Sequence, residues 1–229
     1  MSGATPTLRH ERILLRDGAR LVIGCDEVGR GAIAGPVGVG LVVVDEHSRT
    51  APLGLRDSKL LSEPRREELQ PLVARWGRYS AVGLASNEQI ERIGIIAALG
   101  LAARRAFDAL LAQGVTLEGA VVLLDGSHDW LSPVMAGSVR VTTRVKADRS
   151  CAAVAGASVL AKVHRDRLMI GADGIHPGYG WPSNKGYASA DHYAAIDRIG
   201  PSTLHRWSWL KQPGLFGIEE TWPESVDIA

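Results

Sequence analysis

Short apolar runs that end on acidic residues alternate along the chain with longer stretches in which apolar residues return every three or four positions. Runs of the first kind fit covered β-strands, and the second spacing fits helices that lay one face on a core. Residues 21–25 read as a buried strand that delivers Asp26 and Glu27. A second strand, dense in β-branched side chains, follows over residues 37–44, and the glycine-rich segment 29–36 makes the two a hairpin.

Ser62 ahead of Glu63 and Pro64 marks a helix start, with Leu69, Leu72, Val73 and Trp76 at helical spacing. Pro71 is expected to kink or shorten that helix. Residues 79–85 form a third strand, and Ile95, Leu99, Ala102, Ala106 and Leu110 mark one face of a long helix that Gly114 ends. Residues 120–124 are a buried strand running into Asp125, and residues 139–145 alternate as a strand should. Helices are expected over 150–169, where small residues allow close packing on a sheet, over 189–199, and finally over 202–209. This order of elements predicts the α/β class, a mixed sheet flanked by helices with a helical C-terminal region.

Length and composition narrow the picture without naming a function. A chain of 229 residues with 45% hydrophobic and 22% charged residues buries a full core, so disorder and coiled coil are excluded. The expected organisation is one domain over residues 1–210, helical C-terminal region included, and a tail over 211–229. No apolar run reaches the roughly 18 residues of a membrane span. The first 18 residues lack the apolar stretch of a secretory signal, which predicts a cytoplasmic protein with no membrane partner. In that compartment Cys25 and Cys151 are expected to be free, buried thiols. The net charge of +1 gives no global sign of nucleic-acid binding, so a polyanionic partner would need a local patch. Arg140, Arg144, Lys146 and Arg149 offer one, and a merely solvated face is the alternative.

The acids change the picture. Asp26 and Glu27, Asp125, and Asp148 each follow an apolar segment, and in open α/β sheets sites gather off strand ends. Carboxylates brought together repel one another unless cations offset their charge. An all-carboxylate set suits Mg2+ or Mn2+ rather than zinc, and such ions serve phosphodiester hydrolysis. Taken singly, Asp125 could cap a turn and Asp148 a helix N-terminus. All four together favour the metal reading. The segment 29–35 is not a dinucleotide fingerprint, since its third glycine comes one residue late and a strand follows.

Asp26-Glu27-Val28-Gly29-Arg30-Gly31 resembles the signature of the type II ribonuclease H family. Further segments resemble that family in the same order: 57–62, 124–126, 146–148, 157–163 with Arg165-Asp166, and 184–187. The resemblance spans roughly residues 21–209. It implies a ribonuclease H fold and a catalytic, metal-binding set of Asp26, Glu27, Asp125 and Asp148. It also implies two-metal cleavage of RNA in RNA/DNA hybrids and of ribonucleotides in duplex DNA, cut on the 5′ side to leave 3′-OH and 5′-phosphate ends. Gly29, Arg30 and Gly31 would read the junction, Tyr179 would stack on a deoxyribose with Tyr187 as competing candidate, and Lys59 and Lys185 would contact phosphates. Ala32-Ile33 and Ala147 depart from the family's more usual residues, which bears on backbone geometry near the loop because alanine lacks glycine's range of φ. Two rival readings share these acids: a ribonuclease H-like nuclease acting on DNA, and an inactive nucleic-acid-binding module. In the tail, Gln212, Leu215 and Phe216 resemble peptides that dock on sliding clamps; the alternative is that they fold onto the core.

Overall fold

The computed structural model describes residues 5–210. Five strands form one sheet in the order β3-β2-β1-β4-β5: β1 Leu21–Val28, β2 Val37–Val44, β3 Tyr79–Ala85, β4 Ala120–Asp125 and β5 Arg140–Arg144. The helices in chain order are α1 Arg9–Arg16, α2 Glu63–Trp76, α3 Asn87–Ile93, α4 Ile95–Ala112, α5 Ser132–Met135, α6 Ala147–Ser150, α7 Ala152–Asp173, α8 Trp181–Asn184 and α9 Ala190–Ile199. The sheet is mixed, as the order of patterns predicts. β1 pairs antiparallel with β2 and parallel with β4, and β4 pairs parallel with β5.

Side chains alternate across β1, and that alternation sorts the two layers. Ile23 and Cys25 join the α4 side of the core with Leu99, Ala102 and Leu110, while Val22 joins the α7 side with Leu69, Val73 and Val154. Asp26 shares the α7 face with Val22 and Gly24. Because Cys25 pairs with Leu124, Asp26 and Asp125 emerge level with each other at adjacent strand ends. Both cysteines are free and buried. No described helix is long and apolar enough to cross a membrane.

Two expectations need correction, and one helix is added to them. Pro71 does not shorten its helix, which runs to Trp76 with Leu69 and Val73 buried. A helix absent from the sequence reading, α3, precedes α4; Ser86 and Gln89 form a reciprocal capping box at its start, and Gly94 at φ 79° breaks it from α4. The helix expected over 150–169 is present as α7, which begins two residues later and runs four residues further, with the separate short α6 ahead of it. The final helix over 202–209 is only a 3₁₀ turn, Trp207–Trp209. There the backbone is diverted by a bridge between Ala34 and His205.

Candidate active site

Strand β1 carries Asp26 to the rim of the sheet, where it is buried, with Glu27 half-buried beside it. The Glu27 N–H donates to Asp26 Oδ1 at 2.9 Å, which fixes the first carboxylate against its own backbone. From β4, Asp125 Oδ1 accepts from the N–H groups of Ala147 at 2.7 Å and Asp148 at 3.4 Å. Asp125 thus caps the short helix α6 that carries the buried Asp148, so the capping role and the clustering of acids coexist. Lys146 turns the chain into α6 at φ 57°. Ala147 itself lies in the right-handed helix, so the departure noted there needs no glycine.

Electrostatics mark the cluster as frustrated without a counter-charge. Burial, then the Glu27 and Asp125 carboxylates, push Asp26 well above the usual carboxylate range. Burial raises Glu27 as well, reinforced by Asp125 and opposed by Arg30, whose guanidinium lies 3.6 Å away. Asp148 is pushed up to about 6 by burial and by Asp125 and Asp57. Burial alone would depress the Lys59 amine, but Asp26, Asp57, Asp148 and Asp125 outweigh it and raise it.

Asp57 is an acid of this cluster to which the sequence reading gave no role. It is buried, and its Oδ1 accepts from the Lys59 N–H at 2.9 Å. Its Oδ2 and Asp148 Oδ1 are buried without hydrogen bonds, although Arg149 Nε stands 3.6 Å from the former. Buried oxygens in that state are costly. Carboxylate oxygens in that state are free to bind a cation. Among the described residues no three His, Cys, Asp or Glu side chains close around one ion position. Magnesium is commonly held by one or two carboxylates, with water and substrate phosphate completing its shell, so the donor set fits such ions.

A cleft of about 410 Å³ opens beside the acids, lined by Asp26, Glu27, the segment Val28–Gly31, Ser58, Lys59, Ser158, Lys162 and Tyr187. One wall is the loop after β1, where Gly29 at φ 77° has no room for a side chain: a Cβ would lie 2.2 Å from Arg165 Nε. A second wall, adjoining the first, is the half-buried Tyr187, whose Oη accepts from the Gly29 N–H at 3.1 Å. Arg165 and Lys162 of α7 stand 5.1 Å and 5.5 Å from the Tyr187 ring centre.

The family model for ribonuclease HII matches residues 23–212. The ribonuclease HII of Streptomyces coelicolor is 45% identical over 205 residues, which is 89% of this chain and 83% of that one. The chain belongs to the ribonuclease HII family. Solved structures agree on the fold. The ribonuclease H2 of Pyrococcus horikoshii superposes with a TM-score of 0.60 at 25% identity, covering 83% of this chain and 94% of that one. A PCNA:RNase HII complex from Archaeoglobus fulgidus gives 0.63 at 24% identity, covering 87% and 98%. As a member of the ribonuclease HII family the protein is an endoribonuclease.

Against the ribonuclease HII expectations, the structure gathers Asp26, Glu27, Asp125, Asp148, Gly29, Arg30, Gly31 and Lys59 around the cleft and its acids. Two residues are elsewhere. Tyr179 is buried in a separate aromatic cluster, stacked on Trp181 at 5.1 Å, and its hydroxyl donates to Gly200 O at 2.7 Å. With its ring covered and its hydroxyl engaged, Tyr179 presents no face to the cleft; Tyr187 does. Lys185 is buried rather than displayed, because a left-handed turn at φ 52° folds its amine onto Pro182 O and Glu63 Oε2, the latter at 3.0 Å. Of the basic patch, Arg140, Arg144, Lys146 and Arg149 are all exposed, and Arg144 pairs in register with Asp125. The tail residues Gln212, Leu215 and Phe216 lie outside the described residues.

Proposed function

We propose that this protein cuts the ribonucleotide-bearing strand of an RNA/DNA hybrid, or of a DNA duplex holding a single ribonucleotide, on the 5′ side of the ribonucleotide. The observation that carries the reading is the juxtaposition of four repelling acids with a wall of glycine backbone and one aromatic ring. Asp26, Glu27, Asp125 and Asp148 would hold Mg2+ or Mn2+. Bound there, such ions supply Lewis-acid activation of water and charge neutralisation at the leaving oxygen. The protein does the rest. Lys59, held cationic by the surrounding carboxylates, offsets their charge and meets a phosphate. Gly29, Arg30 and Gly31 lie where backbone donors meet a ribose, and the 2′-OH is the one group that separates RNA from DNA. The Tyr187 ring, rather than Tyr179, supplies the surface against which a sugar packs.

A DNA duplex carrying one ribonucleotide tests this directly. The expected products in Mg2+ are 3′-OH and 5′-phosphate ends on the 5′ side of the ribonucleotide, with no cutting of the all-DNA duplex. A 2′,3′-cyclic phosphate would mean that the 2′-OH was the nucleophile and would overturn the metal reading. Cutting of all-DNA duplex would favour a DNA nuclease, and binding without cutting an inactive module.

The two tyrosines separate in the same assay. Tyr187→Ala is expected to lower the preference for the single-ribonucleotide substrate. Tyr179→Ala is expected to reduce stability by roughly 3 kcal/mol, as loss of a buried aromatic does, while the folded fraction keeps its preference. The reverse pattern would return the stacking role to Tyr179. The sliding-clamp partner is proposed on the sequence of Gln212, Leu215 and Phe216 alone.

A further inference from the structure

Two consecutive residues from the far end of the chain, His205 and Arg206, fasten the two walls of the cleft. Both are fully buried. The Arg206 guanidinium donates to Gly29 O at 2.7 Å, to Arg30 O at 3.1 Å, and to Gly35 O at 3.1 and 3.2 Å, so it spans the mouth of the loop between β1 and β2. Its backbone N–H donates to Ile33 O at 2.8 Å, and the Trp209 ring lies 4.8 Å from the guanidinium carbon. A lysine could not make these bonds, since the fork of donors is particular to arginine.

The other wall is held through a histidine pair. The Ser202 N–H donates to His205 Nδ1 at 2.9 Å, which leaves the His205 proton on Nε2. That Nε2–H donates to His192 Nε2 at 3.1 Å, and His192 Nδ1–H in turn donates to Tyr187 O at 2.9 Å. Both rings are neutral in this arrangement, and burial lowers the pKa of each.

Peptide geometry gives the Arg206 bonds a consequence. In a trans peptide the C=O and the following N–H point in opposite directions. Drawing the Gly29 and Arg30 carbonyls toward the interior therefore turns the N–H groups of Arg30 and Gly31 the other way. The loop's outer side is the cleft, which Gly29, Arg30 and Gly31 line. We infer that Arg206 is a positioning residue for ribonucleotide recognition, holding two backbone N–H donors toward the 2′-oxygen of the nucleotide in the cleft. This rests on the proposed substrate. A site built to donate to an oxygen rejects the analogue that lacks it, so the loss should fall on the ribose preference and not on duplex affinity in general.

The test is equilibrium binding in chelator, where cutting is prevented, to two duplexes of one sequence, all-DNA and with one ribonucleotide. Circular dichroism and thermal melts report folding of each variant. The wild type is expected to favour the ribonucleotide duplex by about tenfold, the worth of one or two net hydrogen bonds. Arg206→Ala should bring that ratio near one while keeping affinity for all-DNA duplex within about twofold. Arg206→Lys, which keeps the charge but not the fork, should also lose most of the ratio, and it decides the matter if the alanine variant does not fold. A folded variant with the wild-type ratio, or with equal loss for both duplexes, overturns the inference and leaves the proposed substrate standing. A wild-type protein without any preference overturns both.

Discussion

Asp26→Asn is expected to reduce turnover by about 10²–10³-fold while leaving the metal-free protein at least as stable as the wild type. The first half follows from charge. Asparagine keeps the shape of the side chain but cannot neutralise a cation, and preorganised charges in active sites are each worth about 10²–10³ in rate. The second half follows from the sign of the perturbation. Burial, Glu27 and Asp125 raise Asp26 well above the carboxylate range, and burial with Asp125 raises Asp148 to about 6. A carboxylate raised in the folded state stabilises the protein fully below its unfolded pKa, and that contribution is lost as pH rises through the folded value. For Asp148 the window runs from roughly 4 to about 6. In chelator the wild type should therefore lose stability as pH climbs through that window, with Glu11, raised to about 7 by burial, contributing in the same sense. An asparagine in place of Asp26 cannot ionise, which relieves part of the repulsion at its neighbours. Thermal melts at pH 8 in chelator should place the variant at or above the wild type. Added Mg2+ should raise the wild-type melting temperature and raise the variant's less. Near-normal turnover, or a clear drop in melting temperature, would sink the assignment of Asp26 to a cation site.

The pattern of the chain made β1, β2, β3 and β4 legible because each is a short apolar run closed by a turn or an acid, and the strand ends then located Asp26, Glu27 and Asp125. The capping box at Ser86 and Gln89 was equally readable, and it marks the helix that the apolar spacing of α4 had overshadowed. Other features depend on partners far away in sequence. Tyr179 and Tyr187 both sit beside glycines near the same helix. What separates them is that Tyr187 meets the Gly29 N–H and Arg165, more than 20 residues away, while Tyr179 meets Trp181 and Gly200. Lys185 looks like a displayed cation until its left-handed turn delivers it to Glu63, 122 residues earlier. Residues 202–209 carry helical spacing, yet His205 is drawn into a bridge with Ala34 and Arg206 into bonds with the loop after β1, and the helix gives way. Local pattern lost in each case to a long-range bond that no periodicity encodes.

Gly24→Ala is expected to lower stability by about 3 kcal/mol or more and to disturb the acids as well, although residue 24 touches neither substrate nor cation. Gly24 sits in mid-strand on the same face of β1 as Asp26. A Cβ there would lie 2.2 Å from the Ala153 carbonyl carbon, 2.5 Å from its oxygen and 2.5 Å from Val154 N. These are backbone atoms of the first turn of α7, so no rotamer change relieves the clash and the helix start itself must move. That helix start is not free. Glu11 Oε1 accepts from the Ala153 N–H at 2.8 Å, Thr7 pairs with Cys151, and α6 with Asp148 ends one residue before α7 begins. Pushing α7 off the sheet therefore either breaks those bonds or carries Asp148 away from Asp26 and Asp125. Gly31→Ala is the control for stability, since a Cβ there meets nothing within 4 Å and the backbone is outside the left-handed region. Its denaturation midpoint should stay within about 0.5 kcal/mol of the wild type. Chemical denaturation of both variants reads the difference, with cleavage by the folded Gly24→Ala protein as the second measurement. If Gly24→Ala matches Gly31→Ala in stability, α7 is not seated on β1 this closely, and the distance from Asp148 to Asp26 must be set by something other than a missing methyl group.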